Sequence, residues 1–160
     1  MKYSRLTKEQ FESLHLEFSQ FLATQSIDSK KWEQIKKEQP QLVEEELDLF
    51  SDMIWDRTLE NISHLENCSK TQLFLFSCEK EHIKLRVLQC NQEGIDLVSD
   101  QGWTWALEHL QSERITLLTS EKVVATDRKK QIFKLIRQGC QISKGERYRQ
   151  LDSFFNTTKK

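Results

Sequence analysis

The stretch from Glu44 to Asp56, EEELDLFSDMIWD, places six carboxylates and one tryptophan in thirteen positions. Closely spaced carboxylates can bind hard metal ions or act as general acids and bases. A tryptophan beside them is typical of a protein-binding surface. The spacing decides between these kinds of chemistry, because it determines which side chains share a face of the element that carries them.

Residues 40–60 have the apolar spacing of an amphipathic helix. At about 100° per residue their apolar side chains fall within an arc of about 160°. Five of the six carboxylates lie on the opposite arc, which indicates a solvated helix face: Glu44, Glu45, Asp48, Asp52 and Asp56. Four of them (44, 48, 52 and 56, the acidic row) repeat every four residues, where like charges repel by a few tenths of a kcal/mol per pair. We therefore expect a basic partner, a basic part of the same chain or a cation to compensate this row.

Three residues do not fit a simple amphipathic pattern. Glu46 falls inside the apolar arc, where the helix dipole or a buried base would have to stabilise it. Trp55 lies on the acidic arc, so either another segment of the chain covers it or it anchors a protein interface. Trp105 presents the same choice in a second predicted helix, with stacking on His109 as a further alternative.

Histidine and cysteine occur at a spacing that suits zinc in HLENC (64–68) and CEKEH (78–82). The four ligands would be His64, Cys68, Cys78 and His82. The residues between the two pairs look like an extended strand, which at about 3.3 Å per residue would hold the pairs roughly 20 Å apart. We therefore predict no metal and no other cofactor.

Catalytic signatures are missing from the sequence. It contains no P-loop, no G-x-G-x-x-G and no G-x-S-x-G. Cys78 with His82 is a weak nucleophile and base pair, because no third group that would orient the histidine is evident. We predict no catalytic residues, and an enzyme with an unrecognised site remains an alternative.

Charge is divided unevenly along the chain. Residues 40–66 hold eight acids and one base, whereas residues 122–149 hold nine bases and two acids. Lys130, Lys134 and Arg137 share one face of a helix predicted over 127–138, and such a face suits RNA phosphates. Stacking aromatics on that face and RNA-binding signatures are lacking. Charge complementarity within the fold or between copies is therefore the first interpretation, and an RNA- or ribosome-associated factor is the alternative.

The bulk composition narrows the class of protein. The chain has 160 residues, a net charge of −1 and a mean hydropathy of −0.67. These values predict a soluble protein with no general attraction to nucleic acid or anionic membranes. No apolar run approaches the roughly 18 residues of a membrane span, and the opening residues lack the apolar core of a signal peptide. We expect a cytoplasmic protein whose four cysteines are thiols.

Hydrophobic periodicity predicts an α+β fold, with N-terminal helices packed on a small, mainly antiparallel sheet and further helices after it. The predicted helices cover 8–25, 28–39, 40–60, 101–112 and 127–138, with a last helix after Ser143. The first helix should open on a capping box at Thr7 and Gln10 and carry a wide aromatic stripe, and Pro40 suits the first position of the third. The predicted strands cover 72–78, 82–90, 94–98, 115–119 and 123–125, and the first of them is apolar on both faces, which indicates a central strand. We expect one domain over 1–156 and a frayed tail over 157–160.

The segments MKYSRLTKEQFESLHLEFSQFLATQSI, ELDLFSDMIW and ISKGE resemble a family of short uncharacterised cytoplasmic proteins from Bacteroidota. The similarity covers most of the chain and is most specific in the opening segment. It implies a small soluble single-domain protein. Because that family has no established activity, the resemblance transfers no catalytic residue.

These observations favour a non-enzymatic, cytoplasmic protein-interaction protein of adaptor or regulatory type. Its partner would be another protein or a second copy of the chain, with no membrane involved. The predicted contact surface is the acidic row with Trp55 as anchor, that is Glu44, Asp48, Asp52 and Asp56 around the tryptophan.

Overall fold

The computed structural model describes residues 1–124 and 126–158, with side chains as far as residue 156. The described residues form seven helices and a five-stranded antiparallel sheet, which confirms the α+β class. The chain divides into two compact units, Met1–Glu60 and Asn61–Lys160. Folding of residues 1–156 as one domain, and packing of the first helices on the sheet, stay predictions.

The first unit is helical. Its helices are α1 (Lys8–Ser13), α2 (His15–Ala23), α3 (Ser29–Glu38) and α4 (Pro40–Asn61). The capping box predicted at Thr7 and Gln10 is present, and Pro40 begins α4 as expected. The helix predicted over 8–25 is instead broken at Leu14, next to a Ser13 hydroxyl that donates to the Gln10 carbonyl at 2.9 Å. Such side-chain bonds compete with the helical backbone pattern and bend helices.

Aromatic side chains from three helices form the interior of this unit. Phe50 of α4 is fully buried, and its ring centroid lies 5.0 Å from that of Phe18 and 5.5 Å from that of Phe21. Phe11 stacks on it at 6.0 Å. The wide aromatic stripe predicted for the first helix therefore packs against the apolar arc of α4, and this orients the acidic row away from the interior.

The second unit contains the sheet and three helices. Its strands are β1 (His64–Cys68), β2 (Gln72–Cys78), β3 (His82–Cys90), β4 (Ile115–Val123) and β5 (Gln141–Ser143), and its helices are α5 (Asp100–Glu108), α6 (Arg128–Arg137) and α7 (Glu146–Thr158). The strand order is β4-β3-β2-β1-β5, and every neighbouring pair is antiparallel. The apolar strand β2 is central, as its sequence predicts, with Leu73 opposite Leu88 and Phe76 opposite Leu85.

The structure of this unit differs from the prediction in several places. HLENC forms strand β1 and Gln141–Ser143 forms the short strand β5 beside it, and neither strand was predicted. Residues 94–98 form turns rather than a strand, because Gly94 has a φ of 80° and the Asp96 carboxylate accepts from the Val98 N–H at 3.0 Å. The strands expected over 115–119 and 123–125 form one strand, β4, and residue 125 lies outside the described residues. α7 extends to Thr158 and residues 159–160 are not described, so fraying of the tail stays a prediction.

The two faces of the sheet carry different layers. On one face, Leu73, Leu75 and Leu88 pack in a core with Trp103 of α5 and Leu151 of α7. On the other face, α6 lies over the end of the sheet formed by β2, β3 and β4. Among the described residues, no helix combines the length and the apolar character needed to cross a membrane.

Candidate functional site

The acidic row on α4 is covered by the start of the chain. Residues 2–6, here called the N-terminal segment, run along Asp56, Asp52, Asp48 and Glu44 in turn. The Asp52 carboxylate accepts from the Lys2 N–H at 2.8 Å and from the Tyr3 N–H at 2.9 Å. Because the acceptor is a carboxylate, these bonds are of the stronger, charge-assisted type.

The segment is fixed at its other end inside the unit. The Leu6 N–H donates to the hydroxyl of Ser51 at 3.1 Å, and that hydroxyl donates to the Leu47 carbonyl at 2.7 Å. Ser51 is fully buried and Leu6 is buried. A buried hydroxyl that both donates and accepts satisfies its polar groups and fixes the direction of the chain at this point.

Arg5 bridges the two remaining acids of the row. Its Nε donates to Asp48 Oδ1 at 2.8 Å, and its guanidinium also pairs with the Glu44 carboxylate. The bonds to Asp48 and then to Glu44 raise the pKa of Arg5 above its usual value. The expected compensation of the row is therefore supplied by a basic part of the same chain.

Trp55 is half-buried, and its ring centroid lies 6.5 Å from that of Tyr3 at an interplanar angle of 40°. The Tyr3 hydroxyl donates to Asp56 at 2.7 Å. Burial, together with this bond, raises the pKa of Tyr3 to about 12. The N-terminal segment thus contributes a ring neighbour for Trp55, and the anchoring of a partner by Trp55 stays a prediction.

The other irregular residues have partners within their own units. Glu46 is buried, and its carboxylate accepts from the side-chain amide of Gln25 at 2.7 Å. An amide therefore takes the place of the buried base considered for it. Trp105 is half-buried and stacks on His109, with ring centroids 4.2 Å apart and an interplanar angle of 14°. Stacking on His109 was one of the three alternatives for Trp105.

The basic helix is α6. Lys130, Lys134 and Arg137 are all exposed, and the guanidinium of Arg137 lies 5.8 Å from the ring centroid of Phe133. The predicted cationic face therefore exists as a surface, and contact with RNA stays a prediction.

A groove of about 280 Å³ separates α6 from the sheet. We call it the α6 groove. Its lining residues are Phe76, Ile83, Leu85, Ser120, Glu121, Lys122, Gln131, Lys134, Leu135 and Gln138. The apolar members come from β2, β3 and α6, while Lys122 and Lys134 place two ammonium groups at the lining. The Lys122 Nζ also donates to Gln131 Oε1 at 3.0 Å, and this bond links β4 to α6.

The His/Cys set considered for zinc does not form one cluster. Cys78 pairs with Ile83, and His82 is the next residue along β3, so their side chains point to opposite faces of the sheet. Cys68 lies at the other end of β1 from His64. Among the described residues, one group of three neighbouring metal-ligating side chains is present: Glu79, His82 and Glu121.

The thiol considered as a nucleophile is protected. Cys78 is buried, and this burial raises its pKa to about 11. A thiol with such a pKa is almost entirely protonated at neutral pH and is a weak nucleophile. Its separation from His82 across the sheet also removes the base that the sequence placed nearby.

Two parts of this surface were missed by reasoning on the sequence. No pairing was predicted for the N-terminal segment, although its Lys2 and Arg5 supply the cations that the acidic row needs. The contribution of Glu121 depends on the register of β4 against β3, in which Glu121 pairs with Lys84. The excess of acids over residues 40–66 indicated only that the acidic row needs a cation, and no sequence signal pointed to Glu121.

Residues 1–156 match the model of a family described as "Family of unknown function (DUF6495)". No curated protein and no solved structure matches the chain.

Proposed function

The chain belongs to this family of unknown function, so its function has to be argued from its own residues, and we propose that it is a non-enzymatic protein-interaction protein. The proposed contact surface is the α6 groove. Its occupant is a segment of a protein partner that carries acidic and apolar side chains. The observation that supports this choice is the combination of an apolar floor with cationic side chains in one groove.

The composition of the groove defines the chemistry of the occupant. Phe76, Leu85 and Leu135 are only partly buried, so apolar surface is left for a guest side chain to cover. Lys122 and Lys134 favour a carboxylate beside that side chain. The volume of about 280 Å³ lies just below the range of about 300–1,000 Å³ typical of small-molecule sites, which suits one or two side chains of a peptide.

RNA is the other class of partner that a basic surface suits. RNA binding relies on cations for phosphates and on aromatic faces for bases. The groove has cations in Lys122 and Lys134, but Phe76 contributes one aromatic ring among aliphatic side chains. Ile83, Leu85 and Leu135 suit an apolar side chain better than a run of stacked bases. The groove therefore favours an acidic peptide, and RNA binding is an outcome that the experiment below would detect.

The acidic row is a weaker candidate for the contact surface than the α6 groove. Its four carboxylates already bind the N-terminal segment, and a tethered segment acts at an effective concentration of the order of mM. A basic partner would have to displace it. A partner role for Trp55 remains part of the wider proposal and is tested separately by Trp55→Ala.

Cytoplasmic location and a bacterial, Bacteroidota origin belong to the same proposal. Their support is the resemblance of the opening segment to short cytoplasmic proteins of that phylum. Immunofluorescence or fractionation of the source cells would test the location directly.

The proposal is tested by placing a photo-crosslinking amino acid at Gln138, in the α6 groove, and at Gln101, an exposed glutamine of α5, as matched control. A partner segment captured at 138 and absent at 101 is then synthesised as a labelled peptide. Its affinity is measured by fluorescence anisotropy for the intact protein. We expect an acidic, apolar segment, bound at least about tenfold more weakly by Lys122→Glu/Lys134→Glu.

Lys30→Glu/Lys31→Glu on α3 is the charge-matched control and should leave the affinity unchanged. Equal binding by the groove variant and the wild type would refute the proposed surface. Crosslinked material that disappears after nuclease treatment, together with binding that weakens steeply as the salt concentration rises, would identify the partner as RNA rather than protein.

A further inference from the structure

We infer that Glu79, His82 and Glu121 form a binding site for a divalent first-row transition-metal ion, with Zn²⁺ as the best match. One ligand atom from each side chain lies within 4.8 Å of the other two. Glu79 lies in the turn after β2, His82 begins β3 and Glu121 lies on β4. This inference does not depend on the proposed protein-binding groove.

The backbone around the three residues is held by hydrogen bonds. The Glu79 N–H donates to the His82 carbonyl at 2.8 Å across the hairpin turn. In the ladder between β3 and β4, Val123 pairs with His82 and Lys84 pairs with Glu121. The main-chain positions of all three ligands are therefore fixed relative to one another, and only their side chains need to move.

The required side-chain movement is small. Zinc binds nitrogen and oxygen ligands at about 2.0–2.2 Å, so two ligand atoms on a tetrahedron are about 3.4 Å apart. The present separations of at most 4.8 Å exceed that value by at most about 1.4 Å. Rotation about the side-chain bonds of two glutamates covers this difference without a change in the sheet.

The donor set selects the kind of metal. Calcium and magnesium prefer oxygen ligands throughout, whereas an imidazole favours zinc and its neighbours in the first transition row. Two carboxylates and one imidazole leave one tetrahedral position for water. Glu79 and Glu121 are exposed and His82 is half-buried, so solvent reaches that position.

Lys84 provides a way to separate a metal site from a chance cluster. Its Nζ lies 3.4 Å from Glu79 Oε2, so an ammonium group partly neutralises the Glu79 carboxylate. A bound cation would be repelled by this group. Replacing Lys84 by an uncharged side chain should therefore tighten metal binding, while replacing any of the three ligands should weaken it.

The test is calorimetric titration of ZnCl₂ into the chelator-treated, full-length protein at neutral pH. We expect one Zn²⁺ per chain in the wild type. His82→Gln and Glu121→Gln should each weaken binding by about tenfold or more, and Lys84→Met should tighten it severalfold. His109→Gln and Glu93→Gln replace the same residue types elsewhere in the unit and should have no effect.

Circular dichroism of each variant separates loss of a ligand from loss of the fold. Co²⁺ is the second probe, because a thiolate-to-Co²⁺ charge-transfer band would show that the cysteines hold the metal. That band would overturn the inference. So would the absence of Zn²⁺ binding, unchanged affinity in a folded His82→Gln variant, or weaker binding by Lys84→Met.

Discussion

Arg5→Ala should lower the free energy of unfolding by about 1–2 kcal/mol. The Arg5 side chain is 37% exposed, and it pairs with Asp48, at 33%, and Glu44, at 58%. Ion pairs with this exposure contribute about 0.2–1 kcal/mol each. Loss of Arg5 also leaves the repulsion between the two acids, a few tenths of a kcal/mol, without compensation. For a chain of this size the melting temperature should fall by about 2–8 °C.

A double-mutant cycle tests the physical reason for this loss. Urea unfolding is followed by circular dichroism for the wild type, Arg5→Ala, Glu44→Gln/Asp48→Asn and the combined variant. In the wild-type background the amide substitutions remove the arginine contacts and should destabilise. In the Arg5→Ala background they remove only a repulsion and should stabilise by a few tenths of a kcal/mol.

Salt and a matched cation provide the controls. At about 1 M NaCl, where the Debye length is about 3 Å, the cost of Arg5→Ala should fall by at least half. Lys30→Ala removes an exposed cation of the same unit and should change stability by no more than about 0.5 kcal/mol. Additive costs in the cycle, or a cost of Arg5→Ala that ignores salt, would refute the compensation of the acidic row by Arg5.

Three further predictions concern single residues. Burial raises the pKa of Tyr3 from 10.0 to about 12. The neutral phenol therefore stabilises the folded protein fully below pH 10, and this contribution is lost as the pH rises from 10 to 12. In Tyr148→Phe, which leaves Tyr3 as the only tyrosine, tyrosinate absorbance should show a midpoint near pH 12. A midpoint near 10 in the folded protein would show that the segment is not docked. Because burial raises the pKa of Cys78 to about 11, its alkylation by iodoacetamide at neutral pH should require denaturant, and rapid native labelling seen by peptide mapping would contradict its burial. Gly145→Ala should lower the free energy of unfolding by about 1–3 kcal/mol in thermal unfolding, because Gly145 has a φ of 84° and the new Cβ would lie 2.5 Å from His64 Nδ1. Gly94→Ala is the control: Gly94 has a φ of 80° but no atom within 4 Å of the new Cβ, so this substitution should cost less.

Elements that depend on a few adjacent residues could be predicted from the sequence. The Thr7 capping box and the start of α4 at Pro40 depend on a few adjacent residues, and both are found. The hairpin that joins β2 to β3 follows from two apolar runs separated by a short polar turn. Strands β1 and β5 were missed because their pattern is too short and too polar to read without the neighbours that pair with them.

For the candidate surfaces too, features that depend on local spacing could be predicted and contacts between distant residues could not. The acidic row and its need for a compensating charge were evident from spacing alone. The identity of that charge was not, because Arg5 and Glu44 are 39 residues apart and no local pattern links them. Likewise, the sequence placed His82 at a metal-binding spacing from cysteines, whereas its metal-ligating neighbours in the structure are Glu79 in the turn and Glu121 on β4.

The sequence by itself therefore determined the α+β class, the two central strands, the acidic face of α4 and the basic face of α6, since each depends on residue order within one element. Only the tertiary structure decided which segment covers the acidic row, which groove α6 forms with the sheet and which ligands surround His82. These contacts depend on strand register and on the packing of distant segments. Both are set by the burial of the whole apolar surface together, and no short stretch of residues specifies them.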